Sequence, residues 1–300
     1  MDSFIANLIP VIMVGLSLGS LFGLVGLAYT VIINSSQLVN FGQGEFAMVG
    51  VAVCWYFLSI LHLPLWVAFP AAVVGGALMG LLTERAIVTP LLRKETHPFY
   101  PILGTMAIGT VAAGVVGIYT KFFWMPIDPF LGREPWRFGV VAIDKQGVLI
   151  IFMTFLLVVL YWFLLNRTRF GTALRATGYN REVSTLLGIE TAKMVGLSFV
   201  ISGVIAAVAG VLCAPFSPFT AHDGLPLALN GFIALIIGGW GNPYAAVLGG
   251  VTLGLIRSSL TGYASSAHAE LATFFVLILV LTLKPEGIFA RLMAGNTQRV

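Results

Sequence analysis

The sequence predicts an all-α integral membrane protein, a polytopic helical bundle of about eight spans with broken or re-entrant helices. Three observations carry that expectation. The 300 residues are 58% hydrophobic and only 9% charged, with a mean hydropathy of +0.98, whereas a soluble domain is about a quarter charged. Apolar runs of roughly 18 or more residues, the length a helix needs to cross hydrocarbon, recur from end to end. No stretch of ordinary soluble composition is long enough to fold separately, so residues 1–300 read as a single transmembrane domain.

The first apolar span covers 9–33. Gly15, Gly19 and Gly23 lie four apart on one face of it, a spacing that lets helix backbones approach closely in lipid; the lining of a narrow pore is the alternative. Before the second span, 37–60, comes Asn34-Ser35-Ser36-Gln37-Leu38-Val39-Asn40-Phe41-Gly42-Gln43-Gly44-Glu45-Phe46. Two readings of it stand open. It is either a cytoplasmic turn, or a discontinuous helix whose free N–H and C=O groups face a transport path. Gly42 and Gly44 loosen helical bonding there. A bare carboxylate near hydrocarbon is costly, so Glu45 should face the bundle interior, water or a partner.

The third span, 64–84, opens at Pro64, where a missing N–H costs little. It carries Gly76 and Gly80 at the same spacing, and Glu84-Arg85 reads as its cytoplasmic end. The fourth, 98–119, opens at Pro98. The segment Thr120–Gln146 that follows is expected outside, with Trp136-Arg137-Phe138-Gly139-Val140-Val141 alternating like one strand of a small hairpin. The fifth and sixth spans, 147–165 and 194–215, flank the polar segment Asn166–Lys193. Beyond Pro215–Pro226, where His222 and Asp223 read as solvated, lies an apolar piece at 227–239. It is too brief for a straight crossing and suggests a half-helix or re-entrant segment. Gly231, Gly238, Gly239, Gly241 and Pro243 break the helix there a second time. The last spans are 243–262, with Gly250, Gly254 and an isolated Arg257, and 268–284. Arg257 either snorkels to the outer surface or pairs with an acid such as Glu45 or Glu270. The run Gly75–Leu82 faintly echoes Gly249–Ile256; the two would cross in opposite directions, so an inverted repeat is one reading and chance the other.

Basic residues orient the chain. Arg85, Arg93 and Lys94 form one group, Arg167, Arg169, Arg175, Arg181 and Lys193 a second, and Lys284, Arg291 and Arg299 a third. Eleven of the sixteen basic residues then share one face if the short piece crosses. That face is cytoplasmic by the positive-inside rule, which puts the N-terminus outside and the C-terminus inside. The net charge of +4 follows from this clustering and signals no nucleic-acid binding. Cys54 and Cys213 read as small buried hydrophobes, the four histidines are too scattered for a metal site, and Met1-Asp2-Ser3 gives no basic start for a signal peptide. There is no Gly-x-x-x-x-Gly-Lys-[Ser/Thr] sequence and no nucleophile–base pattern. No catalytic residue, cofactor or bound metal is therefore expected, and the chain is not expected to hydrolyse ATP by itself.

The polar segment Asn166–Lys193 is the most informative. Asn180 is placed to cap a short helix with Glu182 in its first turn. Val183, Leu186 and Leu187 give that helix an apolar face, and Gly188 can end it in a left-handed conformation. A companion helix is expected over Thr172–Thr177, ending at Gly178. Two stubby amphipathic helices among arginines suit docking into a groove of a cytosolic protein; a solvated connector on lipid headgroups is the plainer reading.

With these pieces in order, the chain resembles the permease subunits of bacterial ABC importers for branched-chain amino acids along nearly all its length. The resemblance rests on Leu18–Leu24, Val39–Glu45, Arg169-Phe170-Gly171, Arg175-Ala176, Leu187-Gly188-Ile189, Phe199 through Ala209–Leu212, Gly238–Gly241, Leu248–Gly250 and Lys284–Phe289. It implies that Arg169, Gly171, Arg175, Asn180, Glu182, Leu186, Leu187 and Gly188 engage ATPase subunits, and that Asn40, Phe41, Gly42, Gln43, Gly44 and Glu45 lie near the amino-acid path. Two departures stand out. Gly42 and Gln43 replace part of the family's Asn-Phe-Ala-His-Gly-Glu, and Arg257 stands where many members carry an acid.

The resemblance implies a multi-pass permease of the bacterial inner membrane, moving branched-chain or other hydrophobic amino acids by alternating access. Implied partners are a sister permease or second copy, two cytosolic ABC ATPases that use the ATP and Mg, a periplasmic amino-acid-binding protein and the bilayer. An ABC permease for urea or short amides, a passive channel for small polar solutes and a proton-coupled carrier using Glu45 are the competing classes.

Overall fold

The computed structural model describes residues 2–94, 97, 99–138, 141–263 and 266–290. Among the described residues seven helices are long and apolar enough to cross a membrane, against the eight spans expected. They begin with α1 (Asp2–Ser36), α2 (Gln43–Trp55), α3 (Leu65–Thr83) with its continuation α4 (Thr89–Arg93), and α5 (Phe99–Thr120). Next come α6 (Lys145–Arg167), two short helices α7 (Arg169–Tyr179) and α8 (Arg181–Leu186), and α9 (Thr191–Cys213). The chain closes with α10 (Gly224–Gly238), α11 (Pro243–Tyr263) and α12 (Ser266–Leu283). The eighth expected span is α12, whose 18 residues sit at the lower limit of a crossing. The expected short piece is α10, 15 residues or about 22 Å long at 1.5 Å per residue, well under a hydrocarbon thickness of roughly 30 Å.

Three local expectations are corrected. The span ending at Glu84-Arg85 instead runs on through a wider π-helical turn, Glu84–Val88, into α4. Glu84 is buried and accepts a bond from the Thr89 hydroxyl, so it is an interior group with a local donor and not a span terminus. Strand β1 (Trp136–Phe138) pairs antiparallel with β2 (Val141–Ile143), Trp136 facing Ile143. The alternation read as one strand therefore contains the start of both; Gly139 and Val140 between them lie outside the described residues. Asp223, read as solvated, is half-buried and accepts from the Thr220 amide and hydroxyl, each at 2.6 Å. Pro98, Arg291 and Arg299, used for the fourth span and for orientation, also lie outside the described residues, as does the side chain of Arg93.

Two compact units are built from interleaved stretches of sequence. The first comprises Met1–Leu27, Asp128–Leu156 and Asn230–Val300. In it α1 and α11 cross through glycine. A Cβ at Gly19 would fall 2.6 Å from the Val251 Cα, and one at Gly23 3.0 Å from the Val247 Cα. Gly250 and Gly254 meet the backbone of Gly23 and Gly19 in return. These glycines pack helices; they do not line a pore. The Ser258 hydroxyl adds a 2.6 Å bond to the Val11 carbonyl at the same crossing.

The second unit comprises Ala28–Ile127 and Leu157–Leu229. Its centre is α9, buried over most of its length because small residues recur on its faces. Gly203 and the Phe199 carbonyl lie against Gly76 and Gly80 of α3, Ala207 against Gly50 of α2, and Gly210 against Ala47. The two echoing runs, in α3 and α11, thus use their glycines alike, each to bring a helix backbone onto a neighbour.

Candidate functional site

The first break lies wholly in the second unit. Helix α1 ends at Ser36, Gln37 takes a left-handed φ of 58°, and α2 begins at Gln43. The intervening stretch is not a solvated turn, since Leu38, Asn40 and Gly42 are buried. Its polar groups are bonded internally. Asn40 Oδ1 accepts from the Gly42 amide at 3.0 Å, and its Nδ2 donates to Gln43 Oε1 at 3.2 Å. The Ser202 hydroxyl, with one proton to donate, lies 2.8 Å from the Ala28 carbonyl and 3.0 Å from Gln43 Oε1 and is shared between them. Gln43 Nε2 donates to the Ser202 carbonyl at 3.4 Å, and Ser35 Oγ lies 2.5 Å from Ser198 Oγ. Asn40 and Gln43 therefore hold the break onto α9. Phe41 is half-buried beside them.

Glu45 differs from its neighbours. It is buried, and its Oε2 has no hydrogen-bond partner. The carboxylate lies against the Cα of Gly224, the first residue of α10: a Cβ there would come 2.6 Å from Oε2. A Cβ at Gly109 would meet the Glu45 Cγ at 3.0 Å, and one at Gly44 would collide with the Gly224 carbonyl. Gly109 and Gly224 thus make room for the Glu45 side chain close to the positive end of a helix dipole, and Gly44 lets α2 reach the first residue of α10.

Ser202 was not legible as a site residue, because a serine in an apolar helix looks like a small packing residue. Replacing it by Val removes the one hydroxyl donor shared by the Ala28 carbonyl and Gln43 Oε1. We expect a loss of about 0.6–2 kcal/mol, read as a lower melting temperature of the detergent-solubilised chain against wild type.

The polar segment folds as two helices, α7 and α8, also in the second unit. Thr168 Oγ1 caps α7 by accepting from the Gly171 amide at 3.1 Å. Gly171 is buried against the Leu164 and Leu165 carbonyls, which forbid a side chain. Asn180 Oδ1 caps α8 from the Val183 amide at 3.0 Å, with Glu182 in the first turn. Gly188 has the expected left-handed φ of 81°. Helix α7 is longer than Thr172–Thr177, and Gly178 lies inside it. The reason is contact: a Cβ on Gly178 would land on the Asn34 carbonyl oxygen, near the end of α1. Gln37 Nε2 also donates to the Gly178 carbonyl at 3.3 Å. The helical pair is thereby joined directly to the buried break. Its outer surface is open: Arg169 and Arg175 are exposed, Leu186 is 87% and Leu187 75% exposed, and Arg175 donates only to Asn166 Oδ1, at 3.1 Å.

The second break, in the first unit, follows α10. Gly239 and Gly241 have φ of 135° and 79°. The helix-terminal carbonyls are taken up by the chain itself, Ile288 donating to the Ile237 carbonyl at 2.8 Å and Phe289 to the Gly238 carbonyl at 3.1 Å. Gly239 and Gly287 approach too closely for any side chain. Arg257 neither snorkels alone nor meets an acid. It donates to Asn230 Oδ1 of α10 at 2.8 Å, with its guanidinium 5.7 Å from the centre of the Phe22 ring. No cluster of groups able to hold a metal occurs among the described residues.

Apolar helices long enough to span, joined by internally bonded polar breaks and carrying an exposed helical pair, are those of a multi-pass membrane protein. The chain belongs to the family of permease components of branched-chain amino acid transport systems, whose profile matches residues 11–283. It is 28% identical over 283 residues to the "Probable branched-chain amino acid transport permease protein LivH" of Methanocaldococcus jannaschii, covering 90% of this chain and 88% of that one. It is 27% identical over 291 residues to the high-affinity branched-chain amino acid transport system permease protein LivH of Escherichia coli K12, covering 92% and 94%. The corresponding protein BraD of Pseudomonas aeruginosa is 28% identical over the same shares.

Proposed function

We propose that the chain is the permease subunit of an ATP-binding-cassette importer of the bacterial inner membrane, moving branched-chain or other hydrophobic amino acids inward by alternating access. It pairs with a sister permease or a second copy. Two cytosolic ATPases dock on Asn166–Lys193, and a periplasmic binding protein delivers substrate. The chain itself hydrolyses nothing and holds no nucleotide or magnesium. Its N-terminus is periplasmic and its C-terminus cytoplasmic.

The observation that carries this reading is the helical pair: bare leucines and arginines outside, and a direct join to the buried break at Gly178 inside. Closure of the ATPases pushes α7 and α8, and the push reaches Asn34–Gln37 without an intermediate residue. Near that break Phe41 and the apolar neighbours suit an aliphatic side chain, while Glu45, with its unpartnered oxygen, suits an ammonium group. Asn40, Gly42, Gln43 and Gly44 act by shaping the break. Gly238, Gly239 and Gly241 form the matching break in the other unit.

The test is a double reversal, Arg169→Glu with Arg175→Glu. Both side chains are exposed, so membrane insertion should persist. Co-purification of an ATPase and ATP-dependent uptake of leucine, isoleucine or valine should fall at least about tenfold, as expected when like charges replace complementary ones at an interface. Uptake that continues without ATP would point to a passive channel, and uptake of urea in place of amino acids would move the substrate assignment.

A further inference from the structure

We propose that Arg257, with Asn230 and Phe22, forms a recognition site for the carboxylate of the transported molecule; this rests on the amino-acid reading above. Arg257 stands six residues before the last residue of α11, Tyr263, about 9 Å along the helix at 1.5 Å per residue. A cation at that depth is costly unless it is paired or faces water. A guanidinium that merely snorkels would run along its own helix to the membrane edge. This one is turned across to another helix, bonded to Asn230 and lying over an aromatic face within cation–π range.

What it lacks is an anion. No carboxylate lies within ion-pair reach of it among the described residues, and neither the Arg133–Asp128 nor the Lys193–Glu190 pair involves it. Of the acids in its own unit whose side chains are described, Asp128 is taken by Arg133, Asp144 accepts from the Gln146 and Gly147 amides, and Glu134, Glu270 and Glu286 are exposed. A guanidinium has five N–H donors, and Asn230 takes one. None of the Arg257 nitrogens is sealed away without a partner, so the rest of the fork opens to incoming groups.

A planar fork with free parallel donors suits a carboxylate, which it binds through two bonds at once. Asn230 fixes the fork from one side and the Phe22 ring from below, so the geometry exists before a ligand arrives. Asn230 also places the site on α10, the short helix that ends in the second break.

Phenylglyoxal, which modifies arginine, tests this on the purified chain in nanodiscs, with labelling of Arg257 read by peptide mass spectrometry. Leucine should slow the labelling several-fold and leucinamide, which keeps the amine but lacks the carboxylate, should not. Asn230→Asp supplies a built-in carboxylate. It should shield Arg257 with no leucine present, raise the melting temperature, and raise the leucine half-saturation of the assembled transporter about tenfold, the scale of one charge-assisted bond. Arg257→Gln should do the same to half-saturation, with Arg257→Lys partly restoring it. Equal protection by leucine and leucinamide overturns the proposal. So does protection by phosphatidylglycerol nanodiscs over phosphatidylcholine ones, since the anion is then a lipid phosphate. Leucine uptake by the wild-type transporter without protection of Arg257 removes this proposal alone; no leucine uptake at all removes the amino-acid reading with it.

Discussion

Gly178→Ala is expected to separate ATP hydrolysis from transport. The added methyl group would occupy the position of the Asn34 carbonyl oxygen. The carbonyl oxygen is backbone and a Cβ is fixed by the backbone that carries it, so neither side can yield by rotating a side chain; α7 must shift away from α1. The same shift opens the 3.3 Å bond from Gln37 to the Gly178 carbonyl. The helix itself gains, because alanine favours helix over glycine by about 1 kcal/mol, so a loss of function cannot be laid to melting of α7. The outer surface with Arg169, Arg175, Leu186 and Leu187 keeps its side chains. We therefore expect an ATPase to co-purify as with wild type, while leucine uptake per ATP hydrolysed in proteoliposomes falls by about tenfold or more. A wild-type uptake ratio would show that the push travels by another route.

That join also marks where the sequence stopped being informative. The spans were legible because long apolar runs leave a membrane helix few alternatives, and the caps at Asn180 and Gly188 because each depends on one residue and its own backbone. Gly178 was read by the same local logic as a helix end. Its role is set instead by Asn34, far away in the chain, and a glycine that ends a helix looks like one that admits a neighbour. Asn40 and Gln43 show a related limit: polar residues between apolar runs announce a break, but Ser202, which decides that they face α9, lies in an unremarkable apolar helix. Glu84 passed for a span end because the π-helical turn that continues α3 leaves no mark in composition. Arg257 was recognised as out of place, and its partner Asn230 was missed, since only the packing of α10 against α11 brings them together.

Leu186→Asp combined with Leu187→Asp should give the largest loss of partner binding. Helix α8 has only six residues, too few to be stable in isolation. It is kept folded by the Asn180 cap, the left-handed Gly188 and the buried Ser184. All this order serves to present two leucines that touch almost nothing in the chain, one 87% and the other 75% exposed. Outside a lipid-facing span, such side chains in water gain nothing from folding, so their contribution must come when a partner covers them. Fully burying a leucine side chain contributes about 1.5–3 kcal/mol, or roughly ten- to a hundred-and-fifty-fold in affinity for each one covered. Because both are exposed, the variant should fold and insert with a melting temperature close to wild type, surface changes usually costing under about 0.5 kcal/mol. Leu174→Asp is the contrasting control: that side chain is 1% exposed, and its replacement should unfold α7 and lower thermal stability before any partner is added. Titrating the ATPase onto nanodisc-held chain would then show binding lost in the double variant despite an intact fold. Equal affinity for both proteins would mean that the bare leucines rest on lipid headgroups and that docking lies elsewhere on the chain.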